Sequence, residues 1–168
     1  MESALIGLRY ETYVQNEVSE AVWNDCMEEA EIAELAYWKI KYLPEHFTRN
    51  ARDKYGYQPR SEKYIRRKQY EGRRGKAKYG GEVDLVFSGE SEEILHGPAS
   101  IVAHPSGAEM DMPIPPYFAD MRWPSSPDPE PEVTAVTDEE MEELAEHFSQ
   151  VFQQALDRHL QGNGWQKI

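Results

Sequence analysis

The sequence predicts an α+β protein: a long N-terminal helix kinked at a proline, a small antiparallel β-sheet, an extended basic loop, a proline-rich connector and a C-terminal amphipathic helix. Three observations carry this. Val22, Cys26, Ala30, Ala33, Tyr37 and Ile40 recur at steps of three and four, as do Met141, Leu144, Phe148, Val151 and Ala155, and such spacing lays an apolar stripe along a helix. Apolar and polar residues alternate in short runs between 83 and 114, as strands with one solvated face require. Seven of the eleven prolines fall between Pro113 and Pro131, where they fix an extended chain without ladder hydrogen bonds. At 168 residues the length suits one domain with its own core. The expected organisation is an arm (1–16), a single α+β domain (17–160) and a tail (162–168). Within that domain lie the basic loop (56–81), the connector (113–133) and the last helix (137–161).

Residues 4–14 contain Gly7 and read equally as a strand or an arm. From about Val18 the helical stripe begins, widened by Trp23, Met27, Leu35 and Trp38, while Glu20, Glu28, Glu31 and Glu34 crowd the remaining surface. Pro44 lacks an N–H and clashes with the preceding turn, so the helix kinks or restarts there. A second helix is expected over Pro44–Tyr55, with Phe47 and Ala51 inward and Gly56 as its stop. Tyr57 to Arg60 forms an extended turn. Residues 61–71 allow a helical turn or two before Gly72, Gly75, Gly80 and Gly81 interrupt regular structure. Val83, Leu85 and Phe87 alternate with Asp84 and Val86 as a half-buried strand, broken at Ser88-Gly89. A helical turn over Glu90 to Leu95 precedes strands at 99–104 and 108–114, joined at Pro105-Ser106-Gly107. Thr137 with Glu140 three residues on forms a capping box at the head of the last helix.

Charge is distributed unevenly. The net charge is −13, yet Arg49 to Lys78 holds twelve Lys or Arg against three acids, about +9; the other residues hold six bases and 28 acids, about −22. Tyr55, Tyr57, Tyr64, Tyr70 and Tyr79 lie within or beside this basic segment. Mean hydropathy is low at −0.78, while four Trp, five Phe and ten Tyr argue against simple disorder. That combination describes a protein completing its burial against partners. An acidic body disfavours nucleic acid and anionic membrane, leaving only the basic segment for such a role. Cys26, alone, excludes an intrachain disulfide and a cysteine-based zinc site, and a reducing compartment is expected. No apolar run approaches the length of a membrane span, and the N-terminus lacks the basic and apolar regions of a secretory signal.

Enzymatic signals are weak, and no catalytic, cofactor-binding or metal-binding residue is predicted. The five histidines form no H-x-x-x-H pair, and neither a Gly-rich phosphate loop nor a G-x-S-x-G elbow is present. Glu143 and His147 read as an i,i+4 surface pair before they read as metal ligands. Asp84 and Asp111 read as solvent-face residues before a carboxylate pair for metal-assisted hydrolysis, and Cys26 as a buried small hydrophobe before a nucleophile. The interaction candidates are Arg60, Lys63, Arg66, Arg67, Lys68, Arg73 and Arg74, interleaved with Tyr57 and Tyr64, together with Trp23 and Trp38 as core or subunit-contact aromatics. Three uses fit such a cationic segment: tracking a phosphate backbone, docking on the acidic body of a neighbouring copy, or simple solvation.

The order YLPEHFTRNARDKYGYQPRSEKYIRRKQ, then DLVFSG, then strands ending at MPIPPYF and a capped helix at TDEEMEEL resembles the neck and tail-completion (head-tail joining) proteins of tailed bacteriophages. Leu43-Pro44, His46-Phe47, Tyr55-Gly56-Tyr57, Pro59-Arg60-Ser61, Tyr64, Lys68, Leu85 to Gly89 and Pro113 to Phe118 carry the likeness, which extends over roughly residues 17–160. The resemblance implies a non-enzymatic virion subunit, assembled in the host cytoplasm, forming a homo-oligomeric ring between head and tail. Its implied neighbours are other neck, head-closure and tail-tube or tail-terminator proteins, with DNA passing through the lumen without specific binding and no membrane. In such a ring a basic lumen would retain DNA, so the basic segment is expected at a subunit or ring-to-ring interface, ordering on assembly. The glycine-rich insertion EGRRGKAKYGG departs from the family pattern.

Overall fold

The computed structural model describes residues 18–83, 85, 86, 88–113, 115 and 129–162. Ser19 opens α1 (Glu20–Lys41) by accepting a hydrogen bond from the Val22 N–H at 3.3 Å, which satisfies one of the free N–H groups of the first turn. The helix lies antiparallel to α6 (Asp138–Gly162). Trp23 meets Phe152 edge-on at 4.8 Å, while Tyr37, four turns later, stacks on His147 at 4.2 Å. Small residues let the two helices approach: Cys26, Ala30 and Ala155 are buried, flanked by Leu156 and partly by Val22, Phe152 and Leu160. Ile40, expected on the buried stripe, is 77% exposed; beyond Tyr37 the packed side of α1 has rotated to present Trp38.

Pro44 restarts the chain, as its chemistry requires, in a 3-10 turn over Leu43–Phe47 that buries Leu43, His46 and Phe47. The single helix expected to Tyr55 is divided. Thr48 is extended (φ −100°, ψ 166°), its hydroxyl bonded to the Glu45 carbonyl at 2.8 Å, a local side-chain bond of the kind that competes with helix. α2 (Ala51–Tyr55) then ends on Gly56 in the left-handed region (φ 65°), the predicted stop.

The expected basic loop at 56–81 is mostly not a loop. Residues Glu62–Arg73 form α3, capped by the Ser61 hydroxyl, which accepts from the Tyr64 N–H at 3.3 Å. One glycine inside a helix costs about 1 kcal/mol, and the inward row of Tyr64, Lys68 and Glu71 outweighs Gly72. The end is closed by the Glu71 carbonyl, which accepts from the N–H groups of Arg74, Lys76 and Ala77, and Gly75 turns the chain away at φ 70°. A 3-10 turn (Lys78–Gly81) follows.

Residues 83–88 correct a second expectation. Val83, Leu85 and Val86 are all buried, and none lies in a strand. The Val86 N–H bonds back to the Val83 carbonyl at 3.3 Å, so the chain coils and the in-out alternation is lost; Asp84 and Phe87 lie outside the described residues. α4 (Glu90–His96) leads into the expected hairpin, β1 (Ser100–His104) and β2 (Gly107–Asp111), antiparallel with Ser100 opposite Asp111 and His104 opposite Gly107. Ile101, Ala103 and Met110 face α1 while Val102, Glu109 and Asp111 face outward.

The connector expected at 113–133 ends as a short helix, α5 (Pro129–Val133), with Glu132 and Val133 buried. Proline fits the first turn of a helix as well as an extended chain. Residues 114 and 116–128, the arm at 1–16 and the tail beyond Gly162 lie outside the described residues. The capping box at Thr137 forms in both directions: the Glu140 N–H bonds the Thr137 hydroxyl at 3.2 Å and the Thr137 N–H bonds Glu140 at 3.1 Å. No described helix is long and apolar enough to cross a membrane.

Candidate interaction surface

The central core joins Trp38, Tyr42, Leu43, Phe47, Ala51, Tyr57, Val83, Leu85, Val86, Leu95, Val133 and Leu144, and polar groups thread through it. His46 is fully buried, with its Nδ1 2.5 Å from the Tyr57 hydroxyl and its ring stacked on Tyr55 at 3.8 Å. Burial pushes its pKa down to about 4, against the opposing pull of Glu140. Glu140 accepts from Tyr55 at 2.8 Å and pairs with Lys54 at 2.6 Å. Burial raises its carboxyl, but the bonds from Lys54, the Thr137 N–H and Tyr55 prevail and hold it below its ordinary range. Glu143 collects Lys41, Tyr42 and Tyr37, which bring its pKa down to about 2.

Of the seven basic candidates, two are withdrawn into this scaffold. Arg60 grips Glu132 of α5 with both guanidinium nitrogens, Nη1 to Oε1 at 2.9 Å, the two side chains being 9% and 8% exposed. Glu132 also accepts from the Gln58 N–H at 3.1 Å. Lys68 is buried, bonds the Val83 carbonyl and lies over the Tyr64 ring. The aromatic candidates divide in the same way. Tyr57 and Trp38 are buried and Tyr64 half-buried, whereas Trp23 is 38% exposed at the rim of the α1–α6 pair.

The remaining five lie on one exposed face. Lys63, Arg66, Arg67, Arg73 and Arg74, with Tyr70 between them, stand at i, i+3, i+4, i+10, i+11 and i+7 along α3 and its cap. At 100° per residue these positions span about a third of the helix circumference, opposite Tyr64, Lys68 and Glu71. Arg66 is held by Glu62 at 2.9 Å in an i,i+4 pair, and the Arg74 guanidinium bonds the Tyr70 hydroxyl at 3.0 Å. The stripe is therefore a built, ordered surface about 16 Å long. Helical spacing of these cations was readable in the sequence, hidden by the nearby glycines; Glu132 as the anchor of Arg60 carried no local signal.

Among the described residues no group of three or more His, Cys, Asp or Glu is arranged to hold a metal ion. Asp111 is exposed, and Asp84, its proposed companion, lies outside the described residues. Cys26 is fully buried against α6, and burial pushes its thiol upward, the state of an inert packing residue. Glu143 and His147 are committed to α1, the first as an ion-pair and hydrogen-bond acceptor and the second as a ring stacked on Tyr37. No family model matches the chain, and no curated protein or solved structure matches it either.

Proposed function

We propose that this chain is a non-enzymatic structural subunit of a tailed-bacteriophage virion. It assembles in the host cytoplasm into a homo-oligomeric ring at the neck, between the portal side of the head and the tail, and leaves a lumen for DNA. One observation carries the reading: an ordered cationic stripe stands exposed on α3 of a protein whose remaining surface is strongly acidic. Its nearest complementary surface is another copy of the same chain. The family-like residues support the reading from inside, because Leu43, His46, Phe47, Tyr57, Lys68 and Val86 are all buried. The residues that carry the resemblance thus belong to the scaffold that presents the stripe.

A second reading, a nucleic-acid-binding protein clamping phosphates with residues 60–78, draws on the same face, where Tyr70 adds a stacking platform. It has lost Arg60 and Lys68 to the core, and Lys78 pairs with Glu92 at 2.8 Å. Protein mass spectrometry on purified particles of a phage encoding the chain separates the two. The ring reading expects the chain in multiple copies in tail-joined particles and free heads with unjoined tails when it is deleted. Its absence from particles, together with DNA binding whose log-log salt slope collapses when Arg66, Arg67, Arg73 and Arg74 become Ala, would replace the ring reading with the second.

A further inference from the structure

The acidic partner of the stripe is itself a stripe. On α6, Asp138, Glu139, Glu142 and Glu146 are exposed, and among the described residues they form no salt bridge. Their spacing from Glu139 is three then four, continuing by three to Ser149. Lys63, Arg66, Tyr70 and Arg73 on α3 follow the same three-four-three rhythm. We propose that α3 of one copy docks antiparallel on the outer face of α6 of a second copy, placing Arg73 on Glu139, Arg74 on Asp138, Tyr70 on Glu142 and Arg66 on Glu146.

Each contact follows from chemistry already in place. Antiparallel alignment brings the C-terminal end of α3, with its partial negative charge, beside the partial positive charge of the α6 N-terminus, so the helix dipoles assist the ion pairs. The Tyr70 hydroxyl accepts from Arg74, which leaves its own proton free to donate to a carboxylate. Arg66 carries Glu62 as an exposed i,i+4 partner, a weak pair that an outside carboxylate can share. Over the docking stretch the far side of α6 is taken by buried Glu140 and Leu144 and by His147 stacked on Tyr37 of α1, so docking along Asp138 to Glu146 needs no rearrangement of the core. The two stripes are different surfaces of one chain. The contact is therefore head-to-tail, the kind that forms a ring where its rotation closes.

This pairing rests on the ring reading and is tested separately from it by exchanging charge. The full-length Arg66→Glu/Arg67→Glu/Arg73→Glu/Arg74→Glu variant has two acidic stripes, and Glu139→Lys/Glu142→Lys/Glu146→Lys has two basic ones. Each alone is expected to sediment as a monomer under low-salt conditions where the unaltered chain associates. A one-to-one mixture makes every α3–α6 contact complementary again, and it is expected to recover the association, which a misfolded variant could not do. A mixture that stays monomeric, or either variant alone associating as the unaltered chain does, overturns the pairing. In the latter case the ring reading survives with another interface. Failure of the unaltered chain to associate at any concentration removes both.

Discussion

His46 shows what a single residue contributes when the chain around it is folded. Its imidazole is neutral because burial disfavours the charged form, and Tyr57, Tyr55, Glu140, Lys54 and Glu45 surround it. With a folded pKa of about 4 against an ordinary value near 6.5, the unfolded chain binds a proton that the folded chain refuses. His46 therefore contributes stability that is complete above about pH 6.5 and is lost as pH falls towards 4, roughly 3 kcal/mol in all. Glu140 adds a loss of the same sign at lower pH, since its carboxyl is held down in the folded state. Urea unfolding of His46→Gln should show lower stability at pH 7 than the parent, by about 1–3 kcal/mol, but an almost flat profile from pH 6.5 to 4.5. The same downward slope in both proteins would assign the acid sensitivity elsewhere. The sequence marked His46 only as part of a resemblance; its burial depends on Tyr55 and Tyr57 folding back over it, which no spacing rule states.

Among the elements, α3 is where local reading failed and why is instructive. Four glycines between 72 and 81 pointed to a loop, yet three of them fall after the helix has ended at Arg73. The Ser61 cap and the inward row of Tyr64, Lys68 and Glu71 were present in the sequence and outweighed the fourth. The long helices, the hairpin and the capping box were legible because periodicity, turn residues and caps are local signals. The coil that buries Val83, Leu85 and Val86 was not, because besides the local Val86 N–H bond its carbonyls are held by Lys68, fifteen residues before Val83, and by Ser91. The arginines of one basic segment accordingly divide into two energetic classes. Arg60→Ala leaves Glu132 buried without its cation and should cost about 3–5 kcal/mol. Arg66→Ala, at a side chain 80% exposed, should change stability by no more than about 0.5 kcal/mol. Denaturant midpoints of the two variants check this, and similar losses at both positions would contradict the division of the segment into anchor and stripe.

The whole molecule joins an acidic helical body to one cationic face, and its low hydropathy is consistent with a subunit that completes its surface by association. The segment expected as a basic loop ordering on assembly holds an ordered stripe on α3, so association need not await folding of α3 and should be quick to respond to ionic strength. Ion pairs between exposed stripes are screened over about 10 Å at 0.1 M salt, whereas the α1–α6 and central cores are not. The measurement closest to the central claim is the solution mass of the full-length chain across a salt series, by sedimentation at fixed protein concentration. The account predicts a discrete oligomer at low salt that dissociates to folded monomer, with unchanged far-ultraviolet circular dichroism, as salt rises through a few tenths molar. A monomer at every salt concentration, or an oligomer indifferent to salt, would contradict it.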